Sequence, residues 1–186
     1  MMTMPSLLFT LLLSLFINTP VWANENSQIY AQTNQDHLLI DAQTTLPITP
    51  TMEEALRHGI PLEYTLTVKL SDPTRHFWEN PMSKQVIRVR LSYDLLKQTY
   101  QLTNLTLQRV TNERDLVSSL HTLGRLQDLP LIALNQLETG HTYHIWIQVK
   151  LEPSALPNAL RLATLFDEHW LHQTPPLNRY WTAPQL

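Results

Sequence analysis

Two histidine pairs are the residues of this chain best spaced for metal or acid–base chemistry: His141 with His144, and His169 with His172 beside Asp167 and Glu168. Imidazoles that share a metal must project from one face of an element. On a strand, side chains three apart point to opposite faces, so His141 and His144 separate unless a bulge intervenes. On a helix, His169 and His172 would share a face with Glu168 nearby, although the H-E-x-x-H pattern of zinc peptidases is absent. Surface or turn histidines are the plainer reading of all four. Glycine occurs only at 59, 124 and 140, too sparsely for a phosphate-cradling loop or a G-x-S-x-G elbow. Cysteine is absent, which removes thiolate nucleophiles and disulfides and leaves stability to packing. Among the carboxylates, Glu53 and Glu54 are accounted for by a helix start, and no pair is set for general acid and base work. The sequence therefore offers no catalytic residue and no cofactor.

Binding chemistry is better represented. Lys69, Arg88 and Arg90 fall on the polar rows of two alternating segments, and would form a basic stripe if those segments pair. The alternative is a solvated face whose long charged side chains discourage edge-to-edge association. Phe77, Trp78 and Met82 lie in a turn-rich stretch after Arg75, where large aromatics either anchor a partner or plug the end of a core. The binding candidates are therefore Arg75, Trp78, Arg88 and Arg90. Trp146 stands on the polar row of its segment, either covered by a helix or exposed for contact.

The elements that must hold these side chains are mostly strands. Apolar residues at every second position place one row on one face, and three segments show this strictly: Leu62 to Leu70, Ile87 to Tyr93, and Tyr143 to Leu151. One-sided burial of this kind belongs to antiparallel sheets. Weaker strands are expected at Ile29 to Thr33, Leu38 to Gln43, Gln98 to Thr103, Leu105 to Val110 and Leu131 to Leu134. Asp94 to Lys97 and Glu138 to Gly140 are expected to turn. A first helix, Pro50 to His58, has Thr49 or Thr51 as cap, acids in its first turn and Gly59 as a left-handed exit. A second, Glu113 to Leu123, has Asn112 as cap, Leu116, Val117, Leu120 and Leu123 as its buried stripe, and Gly124 as exit. Pro153 to Trp170 is ambiguous, with a helix at Leu160 to Phe166 favoured over a strand. The Pro-rich tail from Thr174 to Leu186 keeps Tyr180 and Trp181 and is expected to dock.

The chain opens with an uncharged apolar stretch, Leu7 to Ile17, that is too short to cross a bilayer, followed by Pro20 and Val21-Trp22-Ala23. This is the pattern of a signal peptide cut after Ala23, with an uncleaved anchor as the other reading. Residues 1–23 are thus a leader, and 24–186 a single β-rich domain directed to the periplasm. No later apolar run approaches the roughly 20 residues a transmembrane helix needs. The formal net charge of −3 argues against nucleic acid as a partner.

The string Glu54-Ala55-Leu56-Arg57-His58-Gly59-Ile60-Pro61-Leu62, followed by Phe77-Trp78 after Arg75, Leu91-Ser92-Tyr93, Tyr100, Leu151 to Ser154, Leu156-Pro157, Trp170 and Trp181, resembles an uncharacterised proteobacterial family of exported proteins. The family is a domain of unknown function (DUF4390), and some members are labelled "proline-rich signal peptide protein". Here Thr74 and His76 dilute a stretch that is more aromatic and basic in the family. The resemblance implies no activity, cofactor or catalytic residue. It does imply a neighbourhood, beside genes for membrane sensor kinases of the nitrogen-regulation type.

The expectation is an antiparallel β-sandwich or strongly curved sheet of seven to nine strands with two or three short helices. The expected role is a non-enzymatic envelope interaction module whose partner is an envelope protein such as a membrane sensor kinase. The alternative is a periplasmic hydrolase or metal-dependent enzyme built on the His and acid groups at 167 to 172.

Overall fold

The computed structural model describes residues 27–44, 46, 48–75, 80–158, 160–161 and 175–185. Among the described residues, nine strands make two antiparallel sheets. Strands β1 (Gln28–Thr33), β2 (His37–Gln43) and β7 (Arg125–Ala133) form a three-stranded sheet in the order β1-β2-β7. Strands β3 (Leu62–Ser71), β4 (Ser83–Asp94), β5 (Thr99–Asn104), β6 (Arg109–Glu113), β8 (Thr142–Leu151) and β9 (Leu177–Thr182) form a six-stranded sheet in the order β6-β5-β4-β3-β8-β9. Helix α1 (Pro50–Arg57) joins β2 to β3, and α2 (Leu116–Leu123) joins β6 to β7. The expected antiparallel, mainly β architecture is the observed one.

Strict alternation is what builds the core. Leu62, Tyr64, Leu66, Val68 and Leu70 of β3 are all buried, as are Tyr143, Ile145, Ile147, Val149 and Leu151 of β8. Each such aliphatic side chain contributes roughly 2 kcal/mol by leaving water. Val89, Leu91, Tyr100 and Leu102 extend this row across β4 and β5. Leu38, Ile40, Leu126 and Ile132 meet it from the smaller sheet, and Met52, Ala55 and Leu56 from α1, in one cluster. The Thr49 hydroxyl caps α1 by accepting from the Met52 N–H. At the exit of α1, Gly59 takes φ +79°, the left-handed conformation its sequence position implies.

Several boundaries differ from expectation, each for a local reason. Residues 105–108 are a turn rather than a strand, because the Asn104 side-chain oxygen accepts from the N–H groups of Thr106 and Leu107 and Gln108 turns to φ 55°. The same device, Asp94 accepting from Leu96 and Lys97 with Gln98 at φ 54°, closes the β4–β5 hairpin and starts β5 at Thr99. Helix α2 starts at Leu116, three residues later than expected. Its cap is Asp115, whose carboxylate accepts from the N–H and hydroxyl of Ser118. The inward stripe then becomes Leu116, Ser119, Leu120 and Leu123, and Val117 is left 77 % exposed. Gly124 ends α2 at φ −77°, so its need for glycine is steric. A Cβ there would stand 2.0 Å from the Thr44 carbonyl oxygen. The tail docks as β9, an element the Pro-rich sequence concealed, and Trp181 lies against Tyr143. Residues 158, 160 and 161 are helical, with the Arg161 N–H donating to Pro157 at 2.9 Å, while 162–166 fall outside the described residues, as does the leader.

Two substitutions test this packing by urea denaturation. Gly124→Ala is expected to cost about 3 kcal/mol through overpacking against Thr44, and Gly59→Ala, which faces open space, about 1 kcal/mol of backbone strain. The Tyr64 hydroxyl is buried and has no hydrogen-bond partner among the described residues. Tyr64→Phe is therefore expected to leave the protein as stable or more stable, by about 1 kcal/mol, and a loss of stability would show that the hydroxyl is satisfied.

Candidate functional site

The face of the six-stranded sheet turned away from the core carries the basic side chains, and cross-strand register decides which of them meet. β3 is central, paired antiparallel to β4 on one side and β8 on the other. Outward-facing residues therefore fall into rows across three strands. Arg88, Thr65 and Lys150 make one row. Val86, Thr67 and Gln148 make the next, and Lys84, Lys69 and Trp146 the one beyond, extended by Asn178 on β9. The last row sets Ser71 beside His144 and Tyr180. Side chains on adjacent strands in such rows are close enough to act on one ligand surface.

Arg90 stands opposite Glu63, and its Nε and Nη2 donate to one carboxylate oxygen at 2.8 and 2.6 Å. This pair is half-exposed, so its worth is specificity of register more than stability. It also divides the face. At the Arg90 end the charge is balanced, whereas Arg88, Lys150, Lys84 and Lys69 occupy the middle and far rows. Among the described residues of β3, β4 and β8, the only carboxylates on this face are Glu63 and, at the end of β4, Asp94, which is turned into its own hairpin and lies 3.4 Å from Lys97. The Lys69 ammonium sits 4.5 Å over the Trp146 ring. Among the described residues, the Lys69 ammonium is the group set over the Trp146 ring, and the pair forms a cation–π contact.

Of the expected binding residues, the structure brings Arg88 and Arg90 together on one strand. Arg75 is exposed in the turn after β3, past the far end of the sheet. Six residue steps separate Thr65, which faces Arg88, from Ser71, a rise of roughly 20 Å. Trp78, Phe77, His169, His172, Asp167 and Glu168 lie outside the described residues. The basic stripe expected from the sequence, Lys69 with Arg88 and Arg90, leaves out Lys84 and Lys150. Their strand parity matches that of Arg88 and Lys69, but parity says nothing about which strands are neighbours.

The turn that holds Arg75 is organised by Asp72. Its carboxylate accepts from the hydroxyl and N–H of Thr74 at 2.6 and 2.9 Å, and its Oδ1 lies 3.0 Å from His141 Nε2. Arg75 returns to it, with Nε 3.8 Å from the carboxylate and its N–H donating to the Asp72 carbonyl. The Thr74 and His141 contacts hold the Asp72 carboxyl down at about 2. His141 also packs edge-on to Tyr143, while His144 turns away to Asn178 and stacks against Tyr180. The two imidazoles share no ligand position, as alternation requires. Among the described residues, no three His, Asp or Glu groups gather as a metal site would need, and no helix is long and apolar enough to cross a membrane.

A group whose folded-state pKa is depressed stabilises the fold above its unfolded value and loses that contribution as pH falls. Wild type and Asp72→Asn are therefore expected to differ in stability by a constant amount at neutral pH. The difference should shrink between about pH 4, the ordinary aspartate range, and the folded value near 2. Urea midpoints measured across that range check it, and a difference independent of pH would remove Asp72 from this role.

In comparison with known proteins, a family model described as a domain of unknown function (DUF4390) matches residues 23–178. No curated protein and no solved structure matches the chain.

Proposed function

The chain belongs to this uncharacterised family, DUF4390, and on that footing we propose that it is an exported, non-enzymatic binding module that meets an anionic partner in the cell envelope through the outer face of its six-stranded sheet. The observation that carries this reading is the register that sets Arg88 and Lys150 around Thr65 and Lys84 beside Lys69, with Glu63 already committed to Arg90. Four cations concentrated on one face of a chain with formal net charge −3 create a local field opposite in sign to the whole. Such a field orients an acidic partner and speeds encounter more than it adds affinity. The threonines and lysines of these rows supply hydrogen-bond donors at regular spacing, and Trp146 adds an aromatic surface at their edge.

The leader-like first 23 residues support a periplasmic location, and the family's gene neighbourhood supports the extracytoplasmic part of a membrane sensor kinase as the partner protein. Arg75, in the turn after β3, would extend the contact beyond the last row, and Trp78, outside the described residues, stays a candidate from the sequence. The fold is a scaffold on which many functions are possible, so the reading rests on the face itself.

The test is crosslinking in living cells from a photoreactive residue placed at Gln148, among the cationic rows. One specific envelope protein is expected to be captured from wild type. Capture should fall at least about tenfold in Arg88→Glu/Lys150→Glu and decline with added salt in the purified pair. A partner held equally well by the reversed variant would overturn the role of this face.

A further inference from the structure

A sheet edge presents unpaired backbone N–H and C=O groups, and soluble proteins usually obstruct it. Among the described strands, the two sheets have four edges, β1, β7, β6 and β9. Three are obstructed. Along β1, the Arg179 guanidinium of β9 donates to the Ile29 carbonyl at 2.6 Å, which ties β1 to β9 and occupies both edges at that point. β9 is further bounded by Pro175 and Pro176 before it and Pro184 after it. β7 contains Pro130, which has no N–H to donate, a left-handed Asp128 at φ 48°, and a Leu131 carbonyl that accepts from the Ser83 hydroxyl at 2.5 Å.

Among the described residues, β6 has none of these devices. Its five residues, Arg109-Val110-Thr111-Asn112-Glu113, pair with β5 without a register shift, and the first four are exposed. Exposed apolar side chains gather around it: Val110 within the strand at 55 %, Leu107 in the turn before it at 60 %, and Val117 in the helix after it at 77 %. The order of charges within the strand is self-complementary. Antiparallel pairing of β6 with itself about Thr111 puts Arg109 of each copy opposite Glu113 of the other, and Val110 opposite Asn112. Glu113 is already oriented, because its carboxylate accepts the Thr122 hydroxyl at 2.8 Å.

We propose that β6 pairs antiparallel with β6 of a second copy of this chain about a two-fold axis at Thr111, joining two six-stranded sheets edge to edge. The pairing is isologous, so one strand supplies both halves of the interface, including two Arg109–Glu113 pairs. Leu107 of each copy then runs past the end of the other's β6 toward its α2, where Val117 is exposed. A five-residue edge buries less than the roughly 1,000 Å² of a permanent interface, so the association is reversible and depends on concentration. It is independent of the binding role of the outer face, since Arg109 and Glu113 have the opposite strand parity to Arg88 and Lys150.

Sedimentation velocity over a wide concentration range tests it with the purified protein, with Arg109→Glu, with Glu113→Arg, and with an equimolar mixture of the two variants. Wild type is expected to shift from monomer to dimer as concentration rises. Each variant alone sets like charges opposite one another and should dimerise about tenfold or more weakly. The mixture restores both opposite-charge pairs and should dimerise as wild type does. A wild type that stays monomeric, variants that dimerise normally, or a mixture that stays monomeric would each overturn the proposal. Amide exchange gives a reading without substitution: exchange over 109–113 should slow as wild-type concentration rises, and unchanged exchange would also overturn it.

Discussion

The pairing of β3 between β4 and β8 is the constraint on which the rest of this structure depends. Side chains alternate along a strand with a period of two, so moving β3 by one residue would bring Glu63 and Lys69 into the core and expel Leu66, Val68 and Leu70. No partial slip is tolerable, because β8 presents an equally strict apolar row to the same interior. Two strong strands locked side by side thus define a plane. Its buried face recruits the smaller sheet and α1, and its other face carries the half-buried polar rows of β3 and β8.

Binding surface and core are therefore consequences of one register. The pairing that buries Tyr64 and Leu151 also places Thr65 between Arg88 and Lys150, because neighbouring positions on a strand belong to opposite faces. The Arg90–Glu63 pair sits on the same rungs and favours the register that builds the core. Around this centre, single contacts fasten the periphery. The Arg179 guanidinium ties the two sheets at one side, the Thr44 carbonyl packs onto Gly124 where α2 meets the end of β2, and Asp72 links the turn after β3 to His141 at the start of β8.

Local chemistry explains where sequence reading succeeded and where it strayed. The alternation in β3 and β8, the Thr49 cap and the Gly59 exit are properties of a few adjacent residues, and each appears in the structure where its residues imply. The turn at 105–108 resembles a strand in the sequence because Leu105, Leu107 and Val110 are apolar, while the deciding group is the Asn104 side chain before them. Val117 falls on the apolar stripe that helical spacing with Leu116, Leu120 and Leu123 predicts, yet it is exposed. The capping of α2 by Asp115 moved the inward stripe to Ser119, whose hydroxyl is satisfied by the Asp115 carbonyl. β9 escaped notice because its prolines flank the strand and its residues alternate weakly.

What the amino-acid sequence determined by itself was everything with a short period or a local partner: antiparallel strands, helix ends, and the absence of thiol and glycine-loop chemistry. It also placed Lys69, Arg88 and Arg90 on polar rows. Tertiary structure alone decided strand order. That order puts Lys84 and Lys150 beside those residues, gives Glu63 to Arg90 and Trp146 to Lys69, leaves Arg75 beyond the far end, and makes β6 an edge. The physical reason is that a strand's pattern specifies which face is buried, whereas its neighbours are chosen by long-range packing of that face, and contacts between residues distant in the chain leave no periodic trace in it.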